Sequence, residues 1–365
     1  MSIKHLICLG LVAITIWSTA LAAPSNPTAE HVQRTPSEID KLINDMGRKP
    51  PDWFAATQLN YPATLDLTWP QKPEGGWNNQ KNVGQYLWDV VNPNPKRWHE
   101  GAKLLHHLLI MHKDDVEKRT RIMNSMGHFY FTHLEDYPRA AFWWRQVGAD
   151  KNDNYPYSSI YLAECYYRLG NRQMAADQLK KAPPKFVGLK LWAELGELDT
   201  ALRLAEEWGK EGQPEDAWLT AGDACRSAGK WPQAMAYYQR TIDLKPEGPS
   251  KGRIERAQRR ARASLDAIKR FELCDVTKVA DGSFKAESVG YEGPVQVEVT
   301  VKSGRLEEVR VTQHREKQFY SSMTDTPAKL IAKQGVKGVD ATSGATLTSE
   351  AIINATAKAL AENVR

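Results

Sequence analysis

Cysteine is scarce: four in 365 residues, one of which, Cys8, lies in the apolar run at the start. The three that follow, Cys165, Cys225 and Cys274, are too few and too scattered for a fold resting on disulfides. Cys165 and Cys225 fall in helical patterns and read as buried packing residues. Long apolar runs are also lacking beyond the start, so no later stretch reaches the length of a membrane span. The net charge of +5 is too mild to imply a nucleic-acid partner or a membrane surface. Several chemical signatures are missing as well. There is no CxxCH for haem, no GxGxxG before a helix for a dinucleotide, and no HExxH for zinc. His106, His107 and His112, with His128 and His133 further on, lack metal-ligand spacing. Asp114 and Asp115 read as a solvated helix start, and no nucleophile triad can be assembled.

What is there begins with an export signal. One basic residue, Lys4, precedes the apolar run "LICLGLVAITIW" and the small-residue end Ala20-Leu21-Ala22. That order of charge, apolar middle and A-x-A end predicts a secretory signal peptide over residues 1–22, too short to span a membrane. The mature protein is therefore expected outside the cytoplasm, in the periplasm or at the cell surface. Cys8 lies inside the apolar run instead of at its end, which argues against a lipid anchor. With 41% hydrophobic and 25% charged residues, the chain is of globular composition, and its length suggests two or three domains.

Residues 23–100 are irregular and rich in Pro and Trp. They hold one clear helix signal, "TPSEIDKLINDMG", with Thr35 as cap, Pro36 at the first position, Glu38 closing a capping box and Gly47 as the stop. Between 101 and 272 the pattern turns helical and repetitive. In "DAWLTAGDACRSAGKWPQAMAYYQRTIDLKP" the residues Trp218, Gly222, Gly229, Ala234, Tyr238 and Pro246 sit at the offsets of a tetratricopeptide repeat. "YLAECYYRLGNRQMAADQLKKAP" fits the same frame, and weaker copies surround it, one with a first helix shortened after Pro183-Pro184. The region resembles tetratricopeptide proteins, whose stacked hairpins usually form docking surfaces for partners. The basic stretch "KGRIERAQRRARASLDAIKR" places Ile254, Ala257, Ala261, Leu265 and Ile268 on one face; it reads as a helix that caps the stack and shows its polar side to water, or as a docking surface for an acidic partner.

From 276 to 365 the period changes. "GPVQVEVTVKSGRLEEVRVTQH" alternates Val295, Val297, Val299 and Val301, then turns at Lys302-Ser303-Gly304 into a strand whose uneven Leu306, Val309 and Val311 spacing predicts a bulge. A helix is expected from a Thr326 cap and Pro327 to Gly335, and a last helix from a Thr348 cap, with Glu350 in its first turn. The result is a small α+β domain. Just before the last helix stands "DATSGATLTSEAI", a cluster of hydroxyls around a flexible Gly344 at the positive end of a helix. Capping needs one such hydroxyl; the cluster, with free backbone N–H groups, suits a phosphate.

These residues resemble the FMN-binding domain of the periplasm-facing subunits of sodium-pumping NADH:quinone oxidoreductase. The attachment signature of that family is Asp, two free positions, Ser or Thr, Gly, Ala, then Thr or Ser. Asp340-Ala341-Thr342-Ser343-Gly344-Ala345-Thr346 satisfies it at each position, where a chance match in a chain this long is on the order of one in a thousand. The resemblance implies FMN, coupled by a flavin transferase through its phosphate to the hydroxyl of Thr346. It implies that Ser343, Gly344 and Ala345 shape the approach and that Asp340 serves recognition by the transferase, with Thr348 and Glu316 nearby. Where the family often has Thr-Pro-Gly after that glutamate, this chain has Lys317-Gln318-Phe319-Tyr320. Phe319 or Tyr320 either stacks on the isoalloxazine ring or simply packs. The expected protein is multidomain: a tetratricopeptide-like solenoid followed by a small α+β FMN-binding domain. It would act as an exported electron carrier, with a redox protein or membrane complex docking on its repeats and no nucleic acid involved. The alternative is an extracytoplasmic adaptor whose last domain holds no flavin.

Overall fold

A computed structural model of the protein describes residues 33–70, 72, 75–151, 155–339 and 346–365; the export signal expected over 1–22 lies outside them. Helix α1 (Pro36–Gly47) starts on the expected capping box. The Thr35 hydroxyl accepts from the Glu38 amide, and the Glu38 carboxylate accepts from the Thr35 amide at 2.7 Å. A short α2 (Val83–Tyr86) runs into a π turn. Ten further helices follow in sequence: α3 (Trp98–Met111), α4 (Val116–Thr132), α5 (Tyr137–Gln146), α6 (Pro156–Arg168), α7 (Arg172–Lys181), α8 (Leu189–Glu194), α9 (Leu198–Lys210), α10 (Pro214–Ser227), α11 (Trp231–Ile242) and α12 (Lys251–Arg270).

From α4 to α11 these helices pair as hairpins, and successive hairpins share apolar clusters. Asp115, Asp136 and Asn171 cap α4, α5 and α7 with their side chains. Gly170 (φ 91°) and Gly229 (φ 67°) take the left-handed conformation that closes α6 and α10. Helix α8 is only six residues long, following Pro183 and Pro184. Inside the α10–α11 hairpin Gly222 faces the Tyr238 ring so closely that an added Cβ would stand 2.5 Å from it, while Ala234 is fully buried. The three cysteines Cys165, Cys225 and Cys274 are free and buried.

The remaining elements build a small layered domain. Strands β1 (Gly282–Val289), β2 (Pro294–Lys302) and β3 (Arg305–Gln313) form one antiparallel sheet in that order, joined to helices α13 (Ser322–Lys333) and α14 (Thr346–Ala361). Val295, Val297, Val299 and Val301 all point inward. Ser303 (φ 52°) and Gly304 (φ 71°) make the tight turn, and Thr300 opposes Glu308 while Val301 opposes Leu306, so Glu307 is the extra residue of the expected bulge. Strand β1 was not legible beforehand, because among its residues only Ala286 is buried and its alternation is weak.

Two expectations fail here for tertiary reasons. Helix α13 starts four residues before Thr326 and encloses Pro327. Its start is set from afar: the Ser321 amide and hydroxyl both donate to Glu135, 186 residues away, at 3.1 and 2.5 Å. It stops at Gln334, which is left-handed (φ 52°), instead of at Gly335. The basic helix α12 buries the five expected residues and shows Arg253, Arg256, Arg259 and Arg262 to water as expected, but it is not the last layer. It lies between α10 and α11 on one side and α14 and β1 on the other. One apolar core therefore runs from Leu219 and Tyr238 through Ala261 and Leu265 to Val297, Ile353 and Leu360. A second core, around Tyr130, Phe131 and Trp144, fills the first helices and receives Trp53 and Trp69 from the irregular segment.

The hairpin geometry yields a paired expectation. Gly222→Ala forces a methyl into the Tyr238 ring and costs about 1–3 kcal/mol in a denaturant melt. Gly252→Ala, with open space around it, stays within about 0.5 kcal/mol or stabilises.

Candidate functional site

The phosphate-suited run lies between α13 and α14. Residues 340–345, which include Asp340, Ser343, Gly344 and Ala345, are outside the described residues; Thr346 opens α14. The backbone N–H groups of the first turn of that helix have no partner within the helix and carry its positive end. Thr348 lies inside the first turn instead of capping it. Its hydroxyl is turned to the sheet side, where it donates to Glu316 Oε2 at 2.7 Å.

Glu316 is a staple. It is 2% exposed, and its other oxygen accepts from the amides of Tyr291 and Glu292 at 2.9 and 3.2 Å. The β1–β2 turn, closed by Gly290 N–H to the Gly293 carbonyl at 2.8 Å, is thereby fixed to the start of α14. Gly290 makes this possible, since a Cβ there would lie 2.5 Å from the Glu316 oxygen. With both oxygens engaged, Glu316 holds the site's two walls together. Neither Gly290 nor the turn was singled out from sequence, although "GYEG" carries a turn signal.

On the other side of α14 a charged cluster joins the domain to the helices. Arg260 on α12 approaches Asp223 of α10 at 3.3 Å and Glu350 of α14 at 3.9 Å, and the Tyr238 hydroxyl donates to Asp223 at 2.8 Å. Burial, then the charge of Asp223, pushes the Glu350 carboxyl up to about 7, against the pull of Arg226, Arg260 and Lys190. Arg226 lies beside them, 7% exposed, its guanidinium 5.4 Å over the Phe271 ring. Its two terminal nitrogens have no hydrogen-bond partner. Sequence placed Glu350 only as a first-turn carboxylate and missed Asp223, Arg226 and Arg260, whose meeting depends on how three helices pack.

The segment after Glu316 is a strap onto the first helices. The Phe319 amide donates to the Thr132 carbonyl at 2.7 Å, and its ring meets Phe131 edge-on at 5.6 Å within the core of the first helices. The Tyr320 ring packs on Trp98 at 5.1 Å while its hydroxyl donates to the Glu316 carbonyl. Of the two roles left open for Phe319 and Tyr320, packing is the one these contacts describe. The histidines serve packing too: His106 bonds to the Tyr130 hydroxyl at 2.9 Å, His128 lies edge-on to Trp144 and Tyr161, and burial pulls both down to about 4. No group of three metal-binding side chains occurs among the described residues.

A three-stranded sheet with a buried helix behind it, and a hydroxyl-rich sequence just before that helix, suits a small cofactor-binding domain. Residues 290–361 match the FMN-binding domain family, which supports an FMN-binding domain in this part of the chain. An uncharacterized protein of Treponema pallidum (strain Nichols) is 34% identical over 107 residues, which covers 29% of this chain and 29% of that protein. No solved structure matches the chain.

Two measurements test the site's supports. Glu316→Ala leaves three donors without their acceptor and is expected to cost on the order of 3 kcal/mol in a urea melt. The second concerns pH. Because Glu350 binds its proton more tightly folded (about 7) than unfolded (4.5), its contribution to stability is full below the lower value and is lost as pH rises toward the upper. The groups facing it are Asp223 and Arg226 on α10, Arg260 on α12 and Lys190 on α8. Wild-type stability should therefore fall across that window, and Glu350→Gln should flatten the fall.

Proposed function

We propose that the protein is an exported electron carrier holding FMN by a phosphoester to Thr346. One observation carries the reading: the FMN-binding domain match over 290–361 encloses a complete Asp340 to Thr346 attachment signature at the start of a long helix. When bound, FMN supplies the one- and two-electron chemistry. The chain's own residues attach, position and shield it.

In the attachment reaction the Thr346 hydroxyl oxygen bonds to the phosphorus of the FMN half of FAD. The pyrophosphate bond to the AMP half breaks, AMP leaves, and the hydroxyl proton is released. A flavin transferase with a metal ion performs this step, recognising Asp340. Small residues at 343–345 let the phosphate come close. Glu316 and Thr348 act by holding the α14 start and the β1–β2 turn in register. The residues present suit an anionic end of the cofactor: Thr348 is committed to Glu316, so it does not compete for the helix amides, and an orphaned guanidinium lies near the same helix. A covalent bond also suits an exported protein, since a loosely held cofactor is lost wherever free FMN is dilute.

The helical hairpins are read as tetratricopeptide-like, with the Gly222, Tyr238 and Gly229 positions of α10 and α11 in support. Their partner is a redox protein or membrane complex outside the cytoplasm. Ile110, Met111 and Val116, all exposed at the turn from α3 to α4, offer an apolar contact for it.

The test is the intact mass of the mature protein co-expressed and exported with a flavin transferase, beside Thr346→Val. The wild type should gain the mass of FMN less water and the variant none. An unmodified wild type, under conditions that flavinylate a known target, would reject the attachment and favour the flavin-free adaptor.

A further inference from the structure

We infer that the helical region completes the flavin-phosphate site, with Arg226 of α10 as the counter-cation of the phosphodiester on Thr346. The inference rests on the reading that Thr346 carries FMN.

The first ground is the state of Arg226 itself. A guanidinium brings five N–H donors, and one buried to 7% exposure with both terminal nitrogens unpaired is costly. The face of Phe271 steadies the plane of the group but consumes none of those donors. Such a group is held ready for an anion.

The second ground is where it points. Arg226 lines a cavity of about 50 Å³ with Glu350 and Ile353 of α14 and with Val339, the last described residue before the attachment signature. Position 346 precedes Glu350 by four residues and Ile353 by seven, so all three share one face of the helix. Thr348, two residues on from 346, belongs to the opposite side, the side of Glu316. By helix register, position 346 therefore belongs to the face whose Glu350 and Ile353 line the cavity. At about 10–15 Å³ per water, the space holds a few waters. That suits a phosphate group and is too little for an isoalloxazine ring.

The third ground is the charge already present. Asp223 is taken by the Tyr238 hydroxyl and Arg260, and Glu350 by Arg260. Neither carboxylate hydrogen-bonds to the terminal nitrogens of Arg226. Burial raises the Glu350 carboxyl, which weakens it as a negative partner for Arg226. A phosphodiester brings one negative charge shared by two non-bridging oxygens, which match the planar fork of an arginine.

The experiment compares wild type and Arg226→Met, each prepared with and without flavin transferase, by intact mass, thermal melt and, for the modified forms, phosphorus NMR. Without FMN, Arg226→Met should leave the melting temperature unchanged or raise it, since it removes a buried guanidinium whose terminal nitrogens make no hydrogen bond. With FMN attached, the same substitution should lower the melting temperature by several degrees and move the phosphodiester resonance. Arg226→Lys, which keeps the charge and loses the fork, should fall between, and it carries the comparison if the Met variant does not fold. Equal melting shifts in both forms, with an unmoved resonance, would overturn the role of Arg226 while leaving the attachment intact. A wild type that gains no FMN mass would overturn both.

Discussion

Helix α14 has no face left for water. From Thr348 to Leu360 every residue but Lys358 is buried, and its apolar residues point in all directions. A helix of that kind must be covered on every side. The three-stranded sheet covers one side and α13 part of another; α12 of the helical region covers the rest. The flavin domain is therefore completed by the helices before it, and much else follows. Helix α12 became a partition within one core, and the last hairpin, with Tyr238 and Leu219, packs in the same cluster as Val297 and Ile353.

That shared core also explains why ions are buried at the seam. An amphipathic surface helix would have turned Arg260 and Glu350 to water. Here both neighbours of α12 are protein, and the charges have to satisfy one another. Pairing leaves Arg260 engaged with two carboxylates and Glu350 protonated more readily than in water. Ion pairs of this sort fix alignment more than they add stability, because desolvation offsets most of the attraction. They set which way the start of α14 faces.

The legible part of this fold was its local grammar. The Thr35 capping box, the shortened helix after Pro183-Pro184, the valine alternation of β2 and the bulge implied by Leu306, Val309 and Val311 each depend on neighbours a few residues apart, and each stands as read. The match at 340–346 is local in the same sense, being seven consecutive residues, but 340–345 lie outside the described residues. What failed depends on distance in the chain. The start of α13 is set by Glu135, Thr348 is drawn from capping by Glu316, and Phe319 is drawn into a core of helices far upstream. Arg226 carries no signal at all in its own segment, where it passes for a solvated arginine at a helix end.

The strap through Phe319 has a meaning for the order in which the chain acquires its structure. The first helical core is built from residues before 180, yet one of its aromatic rings arrives from position 319, and the Ser321–Glu135 pair spans 186 residues. The N-terminal helices thus wait for nearly the whole chain before their core is closed. Contacts of such long separation are slow to form and are made late. Until the strap arrives the early helices have a gap in their packing, and closing that gap is the same event that brings the C-terminal domain to its seat.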